Sequence, residues 1–326
     1  MTKQEFQKLT ENHVLLLDGA TGSNLMKAGM PRGVCTESWV LEHKDVIQSL
    51  QKAYIEAGSH IIYAPTFGGN RINLTMHGLE DQIEQINHTL AGYTKEITPE
   101  GVYVAGDITT TGKMMAPAGD MTYEKAFETY QEQIGYLRDA GVDLIVAETM
   151  INIEETLAAV DACQSVCDLP IICTVTVEAD GSIFSGGNAV EAAMSLEAAG
   201  ASAVGINCSV GPDQLVSVVR NIKEAVSWYE MASAQGNIEA KNNLAFCYQK
   251  GRGVHKDVKE AIRLYGEAAA GGHASAQYNL GYCYWYGEGV KTDKSRAIEL
   301  FKQSADNGNA KAAQMLKILS QHLFMK

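Results

Sequence analysis

Asp18, Thr66, Asp107, Glu148, Thr176, Asn207 and Cys208 share one kind of position: each ends a short apolar run just where the chain turns polar. Carboxylates so placed can accept hydrogen bonds from an ammonium group. A cysteine can ligate a metal through its thiolate, or simply pack as a small buried hydrophobe. Polar residues also cap strands for no functional reason as they enter loops, and one or two would deserve that reading. Their recurrence at the end of six runs in series points to a site.

The runs are residues 13–19, 61–66, 102–107, 144–149, 171–177 and 203–208. Continuous apolar runs suit parallel strands buried on both faces. Amphipathic stretches lie between them, among them 122–140 and 152–167. Several end in Ala-Gly before the next run, at Ala57-Gly58, Ala140-Gly141 and Ala199-Gly200, which suits a helix C-cap. Six strand-helix units in series imply right-handed crossovers and a parallel sheet. In a strand-helix barrel the carboxyl ends of the strands carry the active site.

From about Lys223 the pattern changes to a repeat of period 36. Ala240, Leu244, Cys247, Tyr248, Gly251, Gly253, Val254, Asp257 and Ala261 recur as Ala276, Leu280, Cys283, Tyr284, Gly287, Gly289, Val290, Asp293 and Ala297. Agreement of many positions at one period marks a short helical solenoid in which each unit buries its apolar face on its neighbours. Lys223-Glu224-Ala225 sits where the sixth barrel helix should run, and the same tripeptide recurs as Lys259-Glu260-Ala261. The two parts therefore read as a fusion made within one helix. The expected domains are 1–222 and 223–326. Trp285 and Tyr286, near a repeat turn, are expected to pack rather than to face a partner.

The chain has 326 residues, is 46% hydrophobic and 20% charged, and carries a net charge of -13. The acidic balance argues against nucleic acid or an anionic membrane as partner, since both select an excess of Lys and Arg. No run is long enough to span a bilayer, and the polar N-terminus lacks the apolar core of a signal peptide. Seven cysteines without a compact pairing pattern read as reduced thiols, so a cytoplasmic location is expected.

Five short motifs follow the strand ends in order: 17–22 (Leu-Asp-Gly-Ala-Thr-Gly), 65–71 (Pro-Thr-Phe-Gly-Gly-Asn-Arg), 106–108 (Gly-Asp-Ile), 147–149 (Ala-Glu-Thr) and 205–209 (Gly-Ile-Asn-Cys-Ser). Together they resemble the homocysteine S-methyltransferase family, the homocysteine-binding barrel of methionine synthases, over residues 1–226. The repeats from 223 to 326 resemble Sel-like repeats, relatives of tetratricopeptide repeats. The first resemblance implies a TIM-type α/β barrel that moves a methyl group to the homocysteine thiolate, in methionine biosynthesis, at a cysteine-ligated zinc. It implies Cys208 as a zinc ligand and Glu148 as acceptor for the substrate ammonium. Asp18, with the backbone at Gly19 and Ala20, would position the amino-acid end. Thr66, Asp107 and Asn207 are further pocket candidates. The methyl donor is not specified by these residues.

The chain departs from the family in two respects. The family's other zinc thiolates come from an adjacent cysteine pair after strand eight, and no Cys-Cys pair exists here. Strands seven and eight have no counterpart, so the barrel should hold six of eight units. Cys35, in the first strand-helix loop, is the only geometric substitute. Cys163 and Cys167, four apart, could chelate but read as buried core on an outer helix. Cys173 lies toward the wrong strand end, and Cys247 and Cys283 read as repeat core. Catalytic zinc takes three protein ligands, so turnover is expected to be absent or severely impaired. An alternative reading is a scaffold whose Sel-like repeats bind a protein partner. Six strands also leave two bare edges, predicting either an open sheet or self-association that covers them.

Overall fold

The computed structural model describes residues 1–250 and 256–323, excepting the side chains of Asn12, Pro212, 223–228, 230–232 and 321–323. The readings made on Gly251, Gly253 and Val254, and on the side chains of Lys223, Glu224 and Ala225, fall outside those limits. Two compact units divide the chain, Met1–Val219 and Arg220–Lys326. The division falls inside one helix, Pro212–Ala234.

The first unit is built on five parallel strands in sequential order: β1 (Ile61–Ala64), β2 (Tyr103–Thr109), β3 (Leu144–Met150), β4 (Ile171–Val175) and β5 (Ala203–Ile206). Their registers pair Ile61 with Tyr103, Ala105 with Leu144, Ile145 with Ile171, and Ile172 with Ala203. Each crossover carries helix, as the alternating pattern requires. The central strands are buried on both faces, and Leu144, Ile145, Val146 and Ala147 are wholly inaccessible.

The first apolar run behaves differently. It meets the sheet through a single parallel bridge, Leu17 with Ile61, supported by Asp18 N–H to Ile61 O at 3.0 Å. Val14 and Leu16 are 82% and 51% exposed. In a closed barrel this run would be flanked on both sides. Here its other side has no strand among the described residues, and one ladder is too little to order it fully. β5, half-buried along its length, forms the opposite edge.

The helices start and stop where local chemistry dictates. Thr122 caps Tyr123–Asp139, accepting from Lys125 N–H at 3.3 Å. That helix buries Ala126, Tyr130, Ile134 and Leu137, the spacing of one face. Gly200 ends Ala189–Ala199 in the left-handed region at φ 103°, where a side chain would be strained.

A buried carboxylate joins two of these elements to the sheet. Glu155, wholly inaccessible, sits in the first turn of Ile153–Val166. Its Oε1 accepts from Thr111 N–H and Oγ1 at 2.7 Å each and from Tyr130 OH at 2.8 Å, while Oε2 accepts from Thr110 Oγ1 at 2.8 Å. The loop after β2 is thereby clamped to the following two helices.

In the second unit the 36-residue period appears as repeated geometry. Helices Ile238–Lys250, Val258–Ala270, Ala274–Tyr286, Lys294–Asp306 and Ala310–Leu323 pack on their sequence neighbours. Asp257 N–H donates to Tyr248 O at 2.9 Å, and Asp293 N–H to Tyr284 O at 3.0 Å. Asp257 and Asp293 both cap the helix that follows. Ala240, Ala276 and Ala312 are buried, as are Cys247 and Cys283. A Cβ on Gly281 would come within 2.8 Å of the Phe301 ring, so this glycine permits close helix approach. Tyr278, Tyr282 and Tyr286 form a ladder with successive centroids 6.5 and 4.4 Å apart. Trp285 is half-buried beneath Lys294, 5.1 Å from its ring, but Tyr286 is 59% exposed.

Replacing Glu155 by Ala should leave Thr111 N–H and the hydroxyls of Thr110 and Thr111 without their acceptor, while Tyr130 OH keeps Thr109 O at 3.1 Å. The expected cost is about 3 kcal/mol, by the penalty for several unsatisfied buried donors. A lowered urea midpoint followed by circular dichroism would register it.

Candidate functional site

The carboxyl ends of the strands bring several of the candidate residues together. Asp18 Oδ2 accepts from Tyr63 N–H at 3.1 Å, and its Oδ1 is buried without a partner. Asp107, on β2, is 6% exposed, and its Oδ1 is likewise buried and unpartnered. Glu148, on β3, receives Asn207 Nδ2–H at 3.0 Å on Oε2. Asn207, just past β5, also donates to Thr149 Oγ1 at 3.0 Å and accepts Thr149 N–H on Oδ1 at 2.9 Å. One amide thus ties the end of β3 to the end of β5.

Burial sets the protonation of the carboxyls. It pushes Asp18 up to about 7, with Glu148 adding repulsion and Tyr63 N–H opposing the shift. Asp107 is raised well above the carboxylate range by burial and then by Glu148, Asp18, Glu37 and Cys208. Glu148 is raised by burial, and the Asn207 hydrogen bond holds it back. Clustered carboxyls in a desolvated site retain protons or attract a cation.

Other candidates are placed differently. Thr66 is wholly buried, and its hydroxyl donates to Asp107 O at 2.9 Å while accepting Asp107 N–H at 3.2 Å. Those bonds serve the junction of β1 and β2 and leave little for a ligand. Gly19 packs under Tyr54, whose OH would lie 2.8 Å from an added Cβ. Ala20 O accepts from Tyr54 OH at 3.2 Å and from Asn24 Nδ2 at 2.7 Å.

Two neighbours escaped the sequence reading. Tyr63, half-buried on β1, has its hydroxyl raised by burial and by Asp107, Glu148, Asp18 and Cys208. Glu37 is 5% exposed and accepts Gly68 N–H at 2.6 Å. The position of Tyr63 within a buried run was a usable signal. Glu37, on a surface-type helical stretch, gave none.

The residues present do not fit zinc. Cys208 is exposed, at φ 47°, and among the described residues its sulfur meets Asn207 Nδ2 at 3.6 Å. Cys35 donates to Glu37 Oε2 at 3.4 Å in a largely apolar cluster, and its thiol is pushed up to about 11, chiefly by burial. Cys173 is wholly buried and pushed up to about 12. Among the described residues no group of three or more His, Cys, Asp or Glu could hold a metal ion.

Parallel strands joined by helices, with an acidic cluster at their carboxyl ends, define an α/β protein of the TIM-barrel class. The family model for homocysteine S-methyltransferase matches residues 15–280 and that for the Sel1 repeat matches residues 274–309. The chain belongs to the homocysteine S-methyltransferase family, and its C-terminal part carries Sel1 repeat. The first match runs beyond the last strand into the helical repeats. Pairwise similarity is shorter, and with the strand pattern it marks the barrel-like part.

The chain is 27% identical over 222 residues to the S-methylmethionine–homocysteine S-methyltransferase BHMT2 of Pongo abelii, covering 68% of this chain and 58% of that protein. It is 26% identical over 228 residues to methionine synthase of Mycobacterium leprae, covering 65% of this chain and 19% of that one. The chain therefore spans little more than half, or less, of the length of these relatives. The metallated homocysteine methyltransferase MmuM of Escherichia coli superposes with a TM-score of 0.56 at 17% identity, over 67% of this chain and 82% of that one; it supports the fold.

Asp18 yields a pH prediction. An unfolded aspartate titrates near about 3.9, whereas folded Asp18 titrates at about 7. Between those values the folded state holds a proton that the unfolded chain has released. Its stabilising contribution is full at low pH and is lost as pH rises through 7. Asp18→Asn, which can still accept Tyr63 N–H, should raise the melting temperature at pH 8, with the gain shrinking toward pH 5. Thermal melts across that range test the sign.

Proposed function

We propose that Met1–Val219 recognises the amino-acid end of homocysteine, with Glu148, Asp18 and Asp107 receiving its ammonium group. The observation that carries this reading is the pair of buried, unpartnered carboxylate oxygens on Asp18 and Asp107, beside a Glu148 aligned by Asn207. A primary ammonium supplies three donors and the charge that such a cluster lacks. Gly19, Ala20 and Thr66 act in this reading through the backbone they hold in place.

The reaction of the family is methyl transfer to the homocysteine sulfur. The named relatives differ in donor, so no donor is carried over. Cys208 alone offers a metal one protein sulfur where catalytic zinc takes three protein ligands. We therefore assign this chain, acting alone, substrate recognition with absent or severely impaired turnover. All seven cysteines are free, and no helix among the described residues is long and apolar enough to cross a membrane; both are compatible with a cytoplasmic protein. The edge at β5 leaves ladder groups to which a second copy could pair, whereas the outward groups of Ile61 and Tyr63 on β1 are taken by Leu16, Asp18 and Gln51. A second reading, a protein scaffold acting through the Sel1 repeats, is favoured by the exposed Tyr282 and Tyr286, at 38% and 59%.

Titration calorimetry with reduced L-homocysteine tests the main reading. Binding is expected, with none for 4-mercaptobutyrate, which keeps the thiol and lacks the amine. Glu148→Gln should weaken binding at least about tenfold, the loss of one charge-assisted bond. Equal binding of the two thiols would overturn ammonium recognition. Methionine formed from betaine or S-methylmethionine, with stoichiometric zinc by elemental analysis, would overturn the impairment.

A further inference from the structure

Cys163 and Cys167 occupy a place different from the one their spacing suggests. Cys163 lies in the last turn of Ile153–Val166 and is wholly buried. Cys167 has left the helix: it is the C-cap, extended at φ -157° and ψ 167°, and half-exposed. Its N–H still bonds Cys163 O at 2.9 Å, which keeps the residues one turn apart. The sulfurs are 3.7 Å from each other. A disulfide needs Cβ atoms about 3.5–4.5 Å apart, closer than the roughly 5–6 Å of positions four apart within a helix. Cys167, having left the helix at its cap, is not held at that helical spacing, and its sulfur already lies 3.7 Å from that of Cys163.

We propose that Cys163 and Cys167 form a peroxide-reactive thiol pair that closes reversibly into a disulfide. The surroundings favour Cys167 as the attacking sulfur. Its thiol is lowered by hydrogen bonding with Cys163, against the opposing effect of burial, and the backbone at Leu169 and the positive charges of Arg138 and Lys3 assist. Arg138 is anchored nearby through Nη1 to Val166 O at 2.8 Å. Against this stands Cys163 O, 3.4 Å from the Cys167 sulfur, which favours a protonated thiol. Cys163 is raised by the hydrogen bond it gives and by burial, so it remains a thiol until its partner is oxidised.

The chemistry balances with hydrogen peroxide as oxidant. The Cys167 thiolate attacks one peroxide oxygen, the O–O bond breaks, and the departing hydroxide takes a proton to become water. The product is a sulfenic acid on Cys167. The Cys163 sulfur then attacks the Cys167 sulfur and gives up its proton; the S–O bond breaks and a second water leaves. Two thiols are oxidised by two electrons, peroxide is reduced by two, and one S–S bond forms. The closed loop is so short that it restrains the unfolded chain little, which suits a reversible sensor better than a structural staple.

Cleavage before aspartate provides a direct readout, because Asp161 and Asp168 bracket a peptide, residues 161–167, with these two cysteines alone. The folded full chain in a Cys208→Ser background would be treated with one equivalent of hydrogen peroxide, then alkylated, cleaved and weighed. The peptide is expected to lose two hydrogens and to take no alkyl group, and to take two after dithiothreitol. In the Cys163→Ser variant, dimedone should trap a sulfenic acid on Cys167. A 161–167 peptide that stays a dithiol, or that is oxidised to a form dithiothreitol does not reverse, would overturn the proposal. Should the serine variant fail to fold by circular dichroism, the parent peptide mass decides alone.

Discussion

The side-chain amide of Asn207 is the tie on which the candidate site depends. It fills both of its hydrogen-bonding roles across the end of the sheet, accepting Thr149 N–H and donating to Glu148 and Thr149. The backbone on either side is held in an uncommon state. Thr149 stands at φ 58° and Cys208 at φ 47°, and for a β-branched residue the left-handed region is a true outlier. Such conformations cost of order 1–3 kcal/mol each and persist where their surroundings over-determine them. Here the surroundings are this amide and strands β3 and β5. The same amide holds Glu148 Oε2 at 3.0 Å.

The cluster is assembled by the same logic at larger scale. Parallel strands in sequential order bring their carboxyl ends to one face, so residues far apart in sequence converge without any dedicated scaffold. Convergence then desolvates them, and desolvation, more than mutual repulsion, raises Asp18, Asp107 and Glu148. An isolated buried carboxyl would simply keep its proton. Three together, with unpartnered oxygens on two, form an acidic cluster whose electrostatics, in the reading proposed above, complement an ammonium.

Much of this was legible in advance because it rests on strong local signals. The strand runs at 61–66, 102–107, 144–149, 171–177 and 203–208 overlap β1 to β5, with ends shifted by one or two residues. Thr122 and Asn152 cap the expected helices, and the period of 36 reappears as paired Asp257 and Asp293 caps. What escaped depends on tertiary context. Thr66 looks like a pocket residue by position, but its hydroxyl is taken up by Asp107 backbone. Glu37 is indistinguishable from a solvated charge until Gly68 N–H closes on it. The run at 13–19 has the composition of a strand, but ladders need partners on the edge, a property of the whole sheet. Cys167 reads as helix by spacing, while its extended cap geometry depends on how the chain turns toward Pro170 and β4.

The missing metal ligands and the open edge have one origin. In a closed strand-helix barrel, the strands that would flank the run at 13–19 are those that follow a sixth unit, and by family resemblance the paired cysteines sit at the end of the last of them. In this chain that stretch is helical repeat, whose core mixes small residues such as Ala276 and Ala297 with Leu264, Tyr265 and Phe301 and whose backbone groups are satisfied inside each helix. A helix has no free ladder to offer an edge strand, and the repeat's own Cys247 and Cys283 are buried in its packing. One replacement therefore removes both the closing strands and the thiolates they would carry. The acidic cluster lies on β2, β3 and the segments around β1 and β5, before the replacement begins, so in the proposed reading recognition and turnover separate along the chain.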